Sequence, residues 1–158
     1  MRSSPRPRPR PARRAVLAAV ADPHDLDRFL DAQAGIYEAA LAELRAGRKR
    51  GHWMWFVFPQ CAGLGQSETS RRYAIRSLEE AQAYLGHAVL GARLRACVAA
   101  ALQVEGCTAE AIFGFPDVLK FHSSLTLFTR AAPEEALFRE ALAKYCGGVL
   151  DPRTLALL

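Results

Sequence analysis

Two stretches of this 158-residue chain set polar side chains among aromatic ones, the mixture that chemistry on a flat, charged ligand requires. The first is His52-Trp53-Met54-Trp55-Phe56 together with Pro59-Gln60. Trp53 and Trp55 can floor a pocket for a planar ring while His52 and Gln60 orient it. The second runs from Gly114 to Thr126 and carries Asp117, Lys120, His122, Ser123, Ser124 and Thr126. On a helix Lys120 and Ser124 lie four apart, as do His122 and Thr126, so each pair can meet. A helix that begins at Pro116 also leaves backbone N–H groups near Asp117, the arrangement that holds an anion. Lys120 and the three hydroxyls then suit a phosphate. His52, His122 or Asp117 would handle the proton, as cleavage of an N-glycosidic bond requires.

Each stretch also has a plainer reading. Clustered aromatics are usually core. Lys120 can be a solvated cation, Asp117 a carboxylate set against the helix dipole, and the hydroxyls can bond their own backbone. No glycine-rich nucleotide fingerprint, zinc-protease string or nucleophile elbow occurs. The glycine pair Gly63-Leu64-Gly65 reads as a turn. Cys61, Cys97, Cys107 and Cys146 form no CxxC pair and no metal-ligand spacing with the histidines. No metal and no cofactor is expected, and the cysteines read as reduced thiols.

The elements that would carry these residues read as helices. Leu26, Phe29, Leu30, Gln33, Tyr37, Leu41 and Leu44 follow one helical face and predict a single helix over 22–46, capped at Asp22 or Asp25 and stopped by Gly47. The stretch 51–60 is too short for its periodicity to separate a strand from a helical turn. Ser67 or Ser70 predicts a short helix through Tyr73. Ser77-Leu78-Glu79-Glu80 is a capping box for a helix over 78–86. A long helix follows over 88–105, and a short one from Thr108 to Gly114. Pro116 opens another through about 129, although Phe121, Ser123, Leu125 and Leu127 also fit a period of two. Pro133 to Gly147 holds a further helix, and Asp151-Pro152 caps a last turn. The expectation is a mainly α, compact single domain over 22–158, with about six to eight helices and short connections.

Charge divides the chain differently. The net charge is +5, but residues 1–14 hold six arginines and no acid. The Arg-Pro alternation of 1–21 predicts a disordered tail, and the remainder is close to neutral. Nucleic acid is therefore an unlikely partner, except through weak, salt-sensitive contact with the tail. No apolar run is long enough to span a bilayer. The sequence reads as a cytoplasmic monomer, with a transit peptide as the alternative role for the tail.

His52 through Gln60, Gly63-Leu64-Gly65, Ser67, Tyr73-Ala74-Ile75, Leu90-Gly91, Arg93-Leu94, Phe113-Gly114, Pro116-Asp117, Lys120 and Ser123 through Phe128 carry a resemblance. The chain resembles, from about Leu26 to Leu158, the bacterial family of unknown function numbered 1810. Some of its members bear the label calpastatin. The resemblance implies a compact, mainly helical cytoplasmic protein and supplies no activity. The order of aromatic block, helical middle and late polar block is also loosely similar to the NADAR group, which acts on ADP-ribose-type nucleotides. Two functions remain open. One is binding or processing of a nucleotide-like or other phosphorylated small molecule. The other is a non-catalytic protein-interaction module whose aromatic blocks are core.

Overall fold

The computed structural model describes residues 22–158; the tail expected over 1–21 lies outside the described residues. The first expected helix is two. α1 spans Asp27–Gln33 and α2 spans Tyr37–Arg45. Between them Gly35 adopts φ 73°, a left-handed conformation that side chains resist and that ends α1. The turn lets each half bury its own face, with Phe29 and Gln33 from α1 and Ala40, Leu41 and Leu44 from α2. Asp22 accepts from the amides of Leu26 at 2.6 Å and Asp27 at 2.9 Å, so it serves the capping role at α1.

The aromatic stretch resolves as one helical turn, α3 (Met54–Val57). Trp53, Met54, Val57 and Phe58 are buried. The chain then leaves the core as a loop that returns on itself. The amide of Ala62 donates to the Ile75 carbonyl and the amide of Ile75 to the Gln60 carbonyl, both at 2.8 Å, forming an isolated parallel bridge. Inside the loop lies α4 (Glu68–Arg72), capped by the Ser67 hydroxyl, which accepts from the amide of Ser70.

α5 (Leu78–Gly86) begins where the capping box places it, with Ser77 Oγ accepting from the amide of Glu80 at 3.1 Å. The other half of the box is absent. Glu80 turns inward instead and pairs with Arg28 at 2.7 Å, both side chains being buried. An ion pair withdrawn from water binds its carboxylate more firmly than a free backbone amide can. α6 (Leu90–Gln103), α7 (Ala109–Phe113), α8 (Asp117–Ala131), α9 (Ala136–Cys146) and α10 (Pro152–Leu155) complete the chain. Among the described residues there are ten helices, six of them at least seven residues long, and no strands.

α8 is the axis, packing against α3, α5, α7, α9 and α10. Phe121 and then every residue from Ser123 to Thr129 are buried. A helix enclosed on nearly all sides has apolar residues all round, which is why a period of two also fitted its sequence. Its aromatic contacts form the middle of the core. Phe121 stacks on Phe113 at 4.3 Å and meets Phe58 edge-on at 5.3 Å, and Phe128 lies 5.5 Å from Tyr84. No single helix among the described residues is long and apolar enough to cross a membrane.

Candidate functional site

The tied loop 60–76 and the outer face of α8 enclose two neighbouring clefts, each of ≈ 200 Å³. The first lies inside the loop, walled by Trp55, Ser70, Arg71, Tyr73 and Arg76. The second lies between the loop, the start of α8 and α10, walled by Leu119, Lys120, His122, Ser123, Asp151 and Arg153. Gln60 and Gly65 line both, so the loop's stem is their common wall. At Gly65 a side chain would strike the Cβ and Oγ of Ser70. The glycine is needed for loop and α4 to close this tightly.

The position of the loop follows from Arg28. Its guanidinium donates to the carbonyls of Arg72 at 2.9 Å and Ala74 at 2.9 Å, and to Glu80 Oε2 at 2.7 Å. Its remaining N–H groups donate to the carbonyls of His24 and Asp25. One buried side chain thus fixes the returning limb of the loop to α1 and α5.

Of the two tryptophans, Trp53 is core: it is 1% exposed and its Nε1 donates to Glu43 at 3.0 Å. Trp55 is half-buried on the wall of the first cleft, with Lys120 Nζ 4.5 Å from its ring centroid. The contact links a wall of the first cleft to a wall of the second. Lys120 also reaches Asp117 at 3.3 Å, and Asp117 pairs with Lys49 at 2.7 Å. The backbone around Asp117 is less open to an anion than the sequence implied. The amide of Val118 donates to Gly114 and that of Leu119 to Pro116. His52 is exposed, and neither His52 nor Asp117 lines either cleft.

The hydroxyls divide. Ser123 lines the second cleft and lies 3.0 Å from Thr154 Oγ1. Thr126 is fully buried, donating to the His122 carbonyl at 2.9 Å and accepting from the amide of Asp151 at 2.9 Å. Ser124 is buried and its Oγ has no hydrogen-bond partner among the described residues. The i, i+4 pairing of His122 and Thr126 is therefore a side chain on a backbone carbonyl. His122 itself is half-buried, with Nε2 2.7 Å from the Val149 carbonyl. A carbonyl cannot donate, so Nε2 carries a proton.

Arg71, Tyr73, Arg76, Asp151 and Arg153 also line the clefts, and none of them carries a site signal in the sequence. Among the described residues no ion pair or hydrogen bond engages the guanidinium groups of Arg71, Arg76 or Arg153. Gly63-Leu64-Gly65 was the visible signal, since it marks the loop on which the first cleft is built. Asp151 is the helix cap that its residue type predicts; its second exposure, to the cleft, depends on the folding of α10 against α8.

Fold and site together define a small protein, mainly helical, with a surface cleft lined by cations that have no partner among the described residues. The chain belongs to the family described as "Protein of unknown function (DUF1810)", whose pattern matches residues 23–158. It is similar to the conserved hypothetical protein Rv1873 from Mycobacterium tuberculosis, whose crystal structure superposes with a TM-score of 0.86 at 59% identity. That match covers 87% of this chain and 98% of the other. No curated protein matches the chain.

Proposed function

We propose that the joined clefts bind a phosphorylated, nucleotide-like small molecule. The observation that carries this reading is the set of three guanidinium groups without a partner among the described residues, Arg71, Arg76 and Arg153, around clefts that also present the half-buried rings of Trp55 and Tyr73. Guanidinium groups take phosphate oxygens in pairs through a planar fork. The exposed part of an indole offers a surface for a flat ring, and Lys120 across it adds positive charge. Asp151 is the one carboxylate among the described residues that line the two clefts, so the local field favours an anion. Should the ligand be processed as well as held, His122 is the group suited to take a proton, through the lone pair of Nδ1.

The test is thermal unfolding of the full chain with a panel of nucleotides and sugar phosphates, NAD and ADP-ribose included. A ligand at about 100 times its dissociation constant adds about 2.7 kcal/mol, which moves the midpoint by several degrees. The expected outcome is a shift with at least one phosphorylated compound that Arg71→Ala and Arg76→Ala together remove. A panel that shifts nothing overturns the reading. One observation favours the alternative of a protein-interaction module: Phe115 and Leu119, four positions apart at the start of α8, are 71% and 50% exposed. A flat panel combined with self-association that Phe115→Ser suppresses would support it.

A further inference from the structure

The second cleft differs in polarity from the first, and the difference bears on what the ligand must contain. The first offers donors, chiefly Arg71 and Arg76. The second adds acceptors. Asp151 Oδ2 is occupied at the start of α10, where it takes the hydroxyl of Thr154 at 2.6 Å and the amide of Thr154 at 3.3 Å. Oδ1 of the same carboxylate has no hydrogen bond among the described residues, though the side chain lines the cleft. The single hydroxyl proton of Thr154 is committed to Asp151, the shorter of its two contacts. Ser123 must then donate to Thr154, which turns its own oxygen into an acceptor. His122 contributes Nδ1, which accepts in the neutral tautomer that keeps its proton on Nε2 against the Val149 carbonyl. Three acceptors, from Asp151, Ser123 and the neutral His122 ring, thus line the same cleft as Lys120 and Arg153. Acceptors beside cations suit a molecule that is anionic at one end and rich in hydroxyl donors at the other.

We propose that the ligand is a phosphorylated polyol of the ribose-phosphate class, its hydroxyls donated to Asp151 and His122 in the second cleft and its phosphate held by Arg71 and Arg76 in the first. The inference rests on the phosphorylated-ligand reading and adds the sugar to it. A carboxylate that accepts from a sugar hydroxyl makes a charge-assisted bond, and a ligand lacking that hydroxyl leaves the carboxylate desolvated and unpaired.

The experiment is calorimetric titration of the full chain with ribose 5-phosphate, 2-deoxyribose 5-phosphate and inorganic phosphate. Ribose 5-phosphate is expected to bind roughly tenfold or more tightly than the deoxy compound. Asp151→Asn keeps a cap for α10, because asparagine is an equally good capping residue, but it replaces the free carboxylate oxygen by an amide that donates. This variant should unfold near the wild-type midpoint, bind phosphate as before and lose the preference for ribose 5-phosphate. Arg71→Ala with Arg76→Ala should weaken all three probes. Equal affinity for the two sugars overturns the hydroxyl assignment and leaves the phosphorylated-ligand reading standing. Failure of every phosphorylated probe to bind removes both.

Discussion

Arg28 makes five hydrogen bonds through a single guanidinium, on carbonyls of His24, Asp25, Arg72 and Ala74 and on the Glu80 carboxylate. Every N–H of the group is engaged, which is how a cation that is 7% exposed is tolerated in the fold. Arg28→Ala would leave Glu80 buried and charged without a partner. The expected loss is about 3–5 kcal/mol of unfolding free energy, measured by denaturant titration. Replacing the pair together by Met and Leu should cost far less. Glu43 is a second residue whose charge is held in place. Burial works to raise its pKa, but hydrogen bonds from the amides of Gly51 and Arg50 and from the Trp53 indole, with Lys49 nearby, bring it below the ordinary value of 4.5. A carboxyl lowered on folding adds stability above its unfolded pKa and loses that stability as the pH falls through its folded one. The fold should therefore weaken below about pH 4.5, and Glu43→Gln should flatten that part of the stability–pH curve. Neither residue could be singled out from sequence. Glu80 lies 52 positions after Arg28, and the groups that hold Glu43 lie 7 to 10 positions after it across a turn; no periodicity records such pairs.

At the scale of elements, the helices whose signals are local were legible. Ser67, Ser77, Thr108 and Asp151 cap helices as their residue types indicate. What was not legible was the break in the first helix, because an isolated glycine in a helical pattern is compatible with continuation or arrest. The same limit applies to the site. Lys120, His122, Ser123, Gln60 and Trp55 line the clefts, while Trp53, Ser124 and Thr126 turned into the core. The pattern of α8 could not sort its residues by side, since nearly every side is covered. α8 should accordingly be intolerant of truncation. Phe121→Ala removes a ring that touches Phe58, Phe113 and Tyr145, and should cost about 3–5 kcal/mol. Leu119→Ala, on the same helix but half exposed, should change the unfolding midpoint little.

For the molecule as a whole, burial sorts four cysteines that composition could not. All four are free thiols. Burial pushes Cys97 up to about 12 and, with help from Asp151, Cys146 up to about 11; it also raises Cys61. A thiol with a raised pKa holds little thiolate at neutral pH and reacts slowly. Cys107 is exposed. Native protein treated with iodoacetamide at pH 7 should therefore gain one adduct, on Cys107, and four after denaturation, as read by intact mass. Fast adducts on the buried Cys61 or Cys97 of the native protein would show that its interior opens more readily than the packing implies. The tied loop has a kinetic counterpart. Its two closing amides, Ala62 and Ile75, are bonded across the stem, whereas Gly63, Leu64 and Gly65 donate to no backbone carbonyl among the described residues. In deuterated water the stem should hold its protons while the tip surrenders them at once. A bound molecule would then be recorded by the tip's exchange slowing in time, with no change of shape needed to see it.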